Sequence, residues 1–314
     1  SATLDPNIFQ EYFRDIDSDI SVVRIPGRTY PVKDRMRTWD LVEDVRACLK
    51  KKENIIIFVP GKKEILSITS ILRKHIEDEV EIHGLHAEMT KWEQEVLLKN
   101  TTGKPRIIIA TNVAEESITI DYATTVIDLG KHKVISYDDH GFPILELQDI
   151  SDANRKQRRG RVGRTHPWNA IWASDTPIEE LDPYPDAPIE KEMLDRYILI
   201  CLSDGIDIWK ERDTLEAEWK NMFFHDFDER LFQISMKKLD QIGAISRWKI
   251  TDYGKNLLRF PVDIEHAAML LEAIEQDCID PIIHAISILG EKWFLSKEWK
   301  WKELKIEKTH EGDI

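Results

Sequence analysis

Two stretches of the chain place chemically capable side chains at spacings a ligand could use. The first is Gln157-Arg158-Arg159-Gly160-Arg161-Val162-Gly163-Arg164, where Arg155, Lys156, Arg158, Arg159, Arg161 and Arg164 make six basic residues in the ten from 155 to 164. Arg161 and Arg164 lie one helical turn apart, and Gly160 lets backbone come close to a bound group. A guanidinium fork holds phosphate oxygens bidentately and offsets charge that develops as a phosphoryl group is transferred. Taken alone, the same run also fits a solvated basic face or a nuclear-localisation-like patch. The second stretch is Ala110-Thr111-Asn112-Val113-Ala114-Glu115-Glu116-Ser117-Ile118-Thr119-Ile120-Asp121. Its hydroxyls, amide and carboxylates can bond backbone phosphates and a ribose. It also reads as a helix start, with Thr111 or Asn112 as the N-cap and Glu115 in the capping-box position.

The elements that must position these residues follow from apolar patterning. A helix over 39–50 leads to a buried strand at Ile55–Val59, then to helix 63–77, a short strand near Val80–His83, helix 91–99 and the strand Arg106–Ala110. The strand Thr124–Leu129 precedes a β-hairpin, with Lys133–Tyr137 turning through Asp138-Asp139-His140-Gly141 into Phe142–Leu147. Strands alternating with helices imply an α/β fold, a doubly wound parallel sheet whose ligands bind outside the carboxyl ends of the strands. At the N-terminal end, Phe9, Tyr12 and Phe13 suggest a helix and Ser21–Ile25 a short strand. The prolines at 177, 183, 185 and 188 mark a boundary. Beyond them the pattern is helical, with a glycine stop at Gly243 and a short β-wing over Ala244–Thr251.

Further motifs extend the pattern along the chain in a fixed order. Ser1-Ala2-Thr3-Leu4-Asp5 opens it, followed by Ile25-Pro26-Gly27-Arg28-Thr29-Tyr30-Pro31-Val32, Ile56–Ile65, Asp204-Gly205-Ile206, Leu239–Ala244 and the T-x-x-G-x-x-L-x-x-F-P run from Thr251 to Pro261. Together with the two chemical stretches, they resemble motifs III, IV, V and VI and the later domains of the DEAH/RHA helicases of superfamily 2. The resemblance implies a RecA-like sheet with a β-hairpin insertion, then a winged-helix domain and the beginning of an all-α ratchet-like domain. Its implied boundaries are 1–25 for the tail of a first RecA-like domain and connector, 26–180 for the second RecA-like domain, 181–260 for the winged helix and 261–314 for the incomplete ratchet.

Residue by residue, the resemblance makes Arg161 and Arg164 the arginine fingers and Gln157 the contact to the γ-phosphate and attacking water, with Gly160 beside the nucleotide. Ser117, Thr119 and Asp121 match positions near the nucleotide and its metal-bound water. Thr111 and Asn112 match positions that grip an RNA backbone, and Arg28 and Thr29, in a family-typical turn, are expected to bind RNA with them. Ser1 and Thr3 match the motif that couples hydrolysis to domain movement. The implied activity is ATP-dependent 3′ to 5′ movement on single-stranded or partly duplex RNA. Glu116 departs from the usual Thr of motif V, and Lys62-Lys63 from the polar-acidic pair of motif IV.

No G-x-x-x-x-G-K-[ST] and no D-E-x-H occurs, so the phosphate-cradling lysine and the Mg²⁺-binding acid are not in this sequence. ATP (or another NTP) with Mg²⁺ is therefore expected to be held mainly by a first RecA-like domain in cis, the chain reading as a C-terminal piece. In some relatives an activator protein docks on the winged helix. Two alternatives stand beside this reading: a non-enzymatic module that binds RNA or a partner, and a DNA-directed helicase of the same superfamily.

Composition narrows the classes. The 314 residues carry 44 Lys+Arg against 58 Asp+Glu, a net charge of -14, which argues against histone-like binding but leaves room for a local basic track. Three scattered cysteines without a CxxC pair suggest unpaired thiols and a reducing, intracellular setting. No apolar run approaches the roughly 18 residues of a membrane span. His83 and His86 read as a turn before a helix rather than as metal ligands, and Trp293, Trp299 and Trp301 among lysines as packing between helices.

Overall fold

The computed structural model describes residues 5–14, 21–23, 32–36, 38, 40–76, 79–99, 102–116, 120–162, 168–206, 225 and 227–290. Its elements run α1 (Pro6–Arg14), β1 (Val32–Met36), α2 (Leu41–Leu49), β2 (Ile55–Phe58), α3 (Lys62–His75), β3 (Glu81–Leu85), α4 (Lys91–Leu98), β4 (Arg106–Ala110), α5 (Val113–Glu116) and β5 (Thr125–Asp128). Then come β6 (Lys131–Tyr137), β7 (Pro143–Asp149), α6 (Asp152–Arg159), β8 (Trp168–Trp172), α7 (Pro188–Lys191) and α8 (Asp195–Ser203). The last are α9 (Glu229–Gln241), β9 (Ile245–Ser246), β10 (Lys249–Ile250), α10 (Asp252–Leu258), α11 (Ile264–Glu275) and α12 (Ile279–Gly290). The chain divides into two compact units, 1–194 with 210–236, and 195–209 with 237–314.

In the first unit a six-stranded sheet has the order β1-β8-β5-β2-β4-β3, every neighbouring pair parallel. The central strands are β-branched runs because both faces are covered. Ile55, Ile57, Ile107 and Ile109 join Val45, Ile65 and Leu72 of α2 and α3 on one face. Ile56, Phe58, Ile108 and Ala110 join Leu97 of α4 and Ala114 of α5 on the other. Alternation along each strand thus feeds two helical layers, the doubly wound arrangement expected from the pattern. The edge strand β1 carries a weaker signal. In β1, VKDRM is exposed over most of its length, and it pairs in register with β8 rather than with a sequence neighbour. Ser21–Val23, expected as the start of a strand, is not strand.

The hairpin expected over 133–147 is one or two residues longer on each arm, β6 pairing β7 from Lys131↔Asp149 to Tyr137↔Pro143. Asp138 Oδ1 accepts from the backbone N–H of His140 (2.8 Å) and Phe142 (2.9 Å), fixing the turn. The base is tied to α3 by Lys133 Nζ on Glu64 (2.9 Å), and Arg230 Nη1 of α9 donates to Tyr137 O (2.9 Å).

In the second unit, β9 and β10 form a two-stranded antiparallel wing after α9. Thr251 Oγ1 accepts from Gly254 N (3.0 Å), capping α10. A Cβ on Gly254 would lie 2.2 Å from Ala244 O, so the helix meets the wing only with glycine there. Arg196 of α8 donates to Phe260 O (3.0 Å) and Val262 O (2.9 Å), holding the entry to α11. Cys48 and Cys201 are buried and Cys278 is exposed; all three are free thiols, and burial pushes Cys48 up to about 12. Among the described residues no helix is long and apolar enough to cross a membrane.

Two outcomes follow. Ile57→Ala, at a fully buried position, lowers the unfolding free energy of the sheet unit by about 2–5 kcal/mol in denaturant titrations. Glu81 bonds Arg106 Nε (2.8 Å); burial raises its carboxyl, but Arg106 outweighs this and holds it below the usual range. A carboxylate depressed in the folded state adds stability above its unfolded pKa and loses it as pH falls through the folded one. The unfolding midpoint therefore drops as pH goes below about 4, and Glu81→Gln shallows that slope.

Candidate functional site

The loops that follow β2, β4 and β5 leave the same, carboxyl, edge of the parallel sheet. One buried side chain joins them. Arg158, in the last turn of α6, has no exposed side-chain surface. Its Nε donates to Glu115 Oε1 of α5 (2.6 Å), and its Nη1 donates to Asp128 Oδ1 at the end of β5 (2.9 Å). The guanidinium lies over the Phe58 ring, 5.1 Å from its centroid, at the end of β2. Asn154 Nδ2 donates to the second oxygen of Glu115 (3.1 Å), and Ser151, the N-cap of α6, donates from Oγ to Asn154 Oδ1 (2.7 Å). Burial works against the charge on Arg158, but Asp128 and Glu115 outweigh it and raise its pKa.

Glu115 is therefore not a capping-box residue. Its carboxylate turns inward to Arg158 and Asn154, because leaving a fully buried guanidinium unpaired would cost more than leaving a short helix uncapped. Nor is the basic run a solvated patch. Arg155 and Lys156 pair with Asp152, Arg158 with Glu115 and Asp128, and Arg159 with Asp34 (2.7 Å) while also donating to Val32 O (2.7 Å). Four of the six cations thus hold protein to protein, and Arg159 pins the edge strand β1.

Gln157 and Arg161 are half-buried beside this network, and Arg161 Nε donates to Gln157 O (3.3 Å). Gly160 has an ordinary helical φ of -72°, and a Cβ there would sit 3.2 Å from Lys156 O and 3.3 Å from Gln157 O. Thr111 is buried, its N–H donating to Leu85 O (3.1 Å), whereas Asn112 and Asp121 are exposed. Gln157, Gly160 and Arg161 thus follow β5 through α6, and Thr111 and Asn112 follow β4. Ser1, Thr3, Arg28, Thr29, Ser117, Thr119 and Arg164 lie outside the described residues. Asp128 and Phe58 were not legible as site residues. They end apolar strands, and only the fold brings them to a residue 30 or more positions on. Among the described residues no group of three or more His, Cys, Asp or Glu side chains is arranged to hold a metal.

Comparison with known proteins places this geometry in a family context. Residues 39–166 match the family described as helicase conserved C-terminal domain. The chain is 29% identical over 304 residues to the ATP-dependent RNA helicase HrpA of Escherichia coli (strain K12), covering 89% of this chain and 22% of that protein. It is 28% identical over 313 residues to the ATP-dependent RNA helicase DHX33 of Drosophila melanogaster, covering 92% of this chain and 43% of that one. A crystal structure of the E. coli DExH-box NTPase HrpB superposes with a TM-score of 0.76 at 23% identity, over 93% of this chain and 36% of that chain, a likeness of fold. The chain thus spans less than half the length of these relatives.

Arg158→Met leaves Glu115 and Asp128 as uncompensated buried carboxylates. The substitution lowers the unfolding free energy of the sheet unit by about 3–5 kcal/mol, read from chemical denaturation monitored by circular dichroism.

Proposed function

We propose that the chain, which resembles the DEAH/RHA helicases and matches the helicase conserved C-terminal domain over residues 39–166, forms the arginine-bearing half of the nucleotide site of an ATP-dependent RNA helicase. One observation carries this reading. A single buried guanidinium draws the loop after β4 and the basic helix α6 to the carboxyl edge of the parallel sheet, where open α/β folds bind ligands.

The donor set suits an anion. Gln157 and Arg161 of the α6 turn, with Arg164 carried from the family motif, would face the nucleotide phosphates, and Gly160 admits backbone close to them. Ser117, Thr119 and Asp121 would stand near the nucleotide. When bound, ATP with Mg²⁺ supplies the phosphoryl group and the countercharge, held mainly by a first RecA-like domain in cis. The chain's own contribution is positive charge delivered in a fixed orientation as charge develops. Thr111, Asn112, Arg28 and Thr29 would contact a single-stranded RNA backbone, and Ser1 and Thr3 would relay hydrolysis to domain movement 3′ to 5′ along the strand. In this reading 26–180 is the second RecA-like domain. The wing β9–β10 behind α9 supports 181–260 as a winged-helix domain able to receive an activator protein, with 261–314 opening the ratchet-like region.

The test is Arg164→Ala in the full-length protein. RNA-stimulated ATP hydrolysis falls by about 10³-fold or more, the range for a lost arginine finger, while single-stranded RNA binding by fluorescence anisotropy is retained. Unchanged turnover would overturn the proposal.

A further inference from the structure

The network around Arg158 does more than fill the space beneath the site. We infer that Glu115 and Arg158 are positioning residues that transmit occupancy of the nucleic-acid loop to the nucleotide-facing turn of α6. The inference rests on the helicase reading above and extends it to two residues with no place in either binding surface.

The geometry is that of a short strut. At one end, the backbone N–H of Glu115 donates to Asn112 O (2.8 Å) and that of Ala114 to Thr111 O (3.2 Å). The carboxylate of Glu115 therefore moves with the two loop residues that precede it. At the other end, Arg158 stands next to Gln157 and three residues before Arg161, whose Nε bonds Gln157 O. Between the ends, Glu115 holds α6 at two points, Oε1 on Arg158 Nε (2.6 Å) and Oε2 on Asn154 Nδ2 (3.1 Å). Two attachments, on residues one turn apart along α6, resist rotation as well as translation.

Burial makes the link stiff. Arg158 is fully buried and Glu115 is 5% exposed, so water has little access to replace a stretched bond. A planar guanidinium offers a fixed fork instead of a rotating ammonium. A backbone phosphate that shifts Asn112 therefore shifts α6 as a body, and with it Gln157 and Arg161.

Asp128 supplies the control. It accepts from the same guanidinium (2.9 Å) and is comparably buried, but it ends β5 and holds Gly130 N (2.9 Å), with no bond to the 111–116 segment. A purely structural role predicts that Glu115 and Asp128 are equivalent. A coupling role predicts that they differ.

The experiment compares Glu115→Gln and Asp128→Asn in the full-length protein, with a poly-uridine single strand as the probe. Both variants lower the thermal unfolding midpoint. The ratio of ATP hydrolysis with the strand to hydrolysis without it falls about tenfold in E115Q, within the range for coupling through packed networks, and stays at the wild-type value in D128N. In E115Q the new amide nitrogen would face Asn154 Nδ2, donor against donor, so charge and one attachment go together. If E115Q fails to fold, Asn154→Ala removes one attachment only and lowers the ratio by a smaller factor. Equal ratios in E115Q and D128N, or an unaltered ratio in a folded E115Q or N154A, overturn the inference. A wild-type protein without strand-stimulated hydrolysis overturns the helicase reading instead, a distinguishable result.

Discussion

A guanidinium with no exposed surface must find its counter-charges inside the protein, and that requirement organises the functional end of this sheet. Arg158 meets it with Glu115 and Asp128, one from the turn after β4 and one from the end of β5, with Phe58 beneath. Each partner belongs to a different strand–loop unit, so satisfying one charge fixes three backbone segments at once. The desolvation cost is large enough that a half-formed arrangement is disfavoured. The loop with Thr111 and Asn112 and the turn with Gln157 and Arg161 are thus positioned by a neighbour that neither of them displays.

The same logic explains how a strongly acidic protein carries a basic helix. Asp152 and Asp34 take up Arg155, Lys156 and Arg159, and each of these pairs does structural work: bracing the first turns of α6 side chain to side chain, or anchoring the exposed edge strand β1 through Arg159. A net charge of -14 says little about such a helix, because what a phosphate meets is the local arrangement of a few cations within a Debye length.

Around this centre the framework is conventional in its physics. Alternating isoleucines in β2 and β4 feed two helical layers, and the hairpin β6–β7 stands off the sheet, braced at its base by Glu64 and at its turn by Arg230. In the second unit, Gly254 permits α10 to meet the wing, and Arg196 collects the carbonyls that precede α11. These contacts hold loop backbone in place where no regular ladder can.

Much of this was legible from residue order. Runs such as Ile55-Ile56-Ile57-Phe58 and Arg106–Ala110 declare buried strands, because such signals are local, and the motif series from Thr111 to Arg164 resembles that of the DEAH/RHA helicases. The edge strand β1 was a weak signal, since an exposed edge needs no apolar pattern. The meaning of Glu115 and Arg158 was not legible at all. By local rules one is a capping acid and the other one cation among six, and their partnership spans 43 positions. Sequence determined which elements form and what chemistry their loops could offer. Only the tertiary structure decided which charges are buried together, because the burial of a group depends on what packs over it and not on what precedes it in the chain.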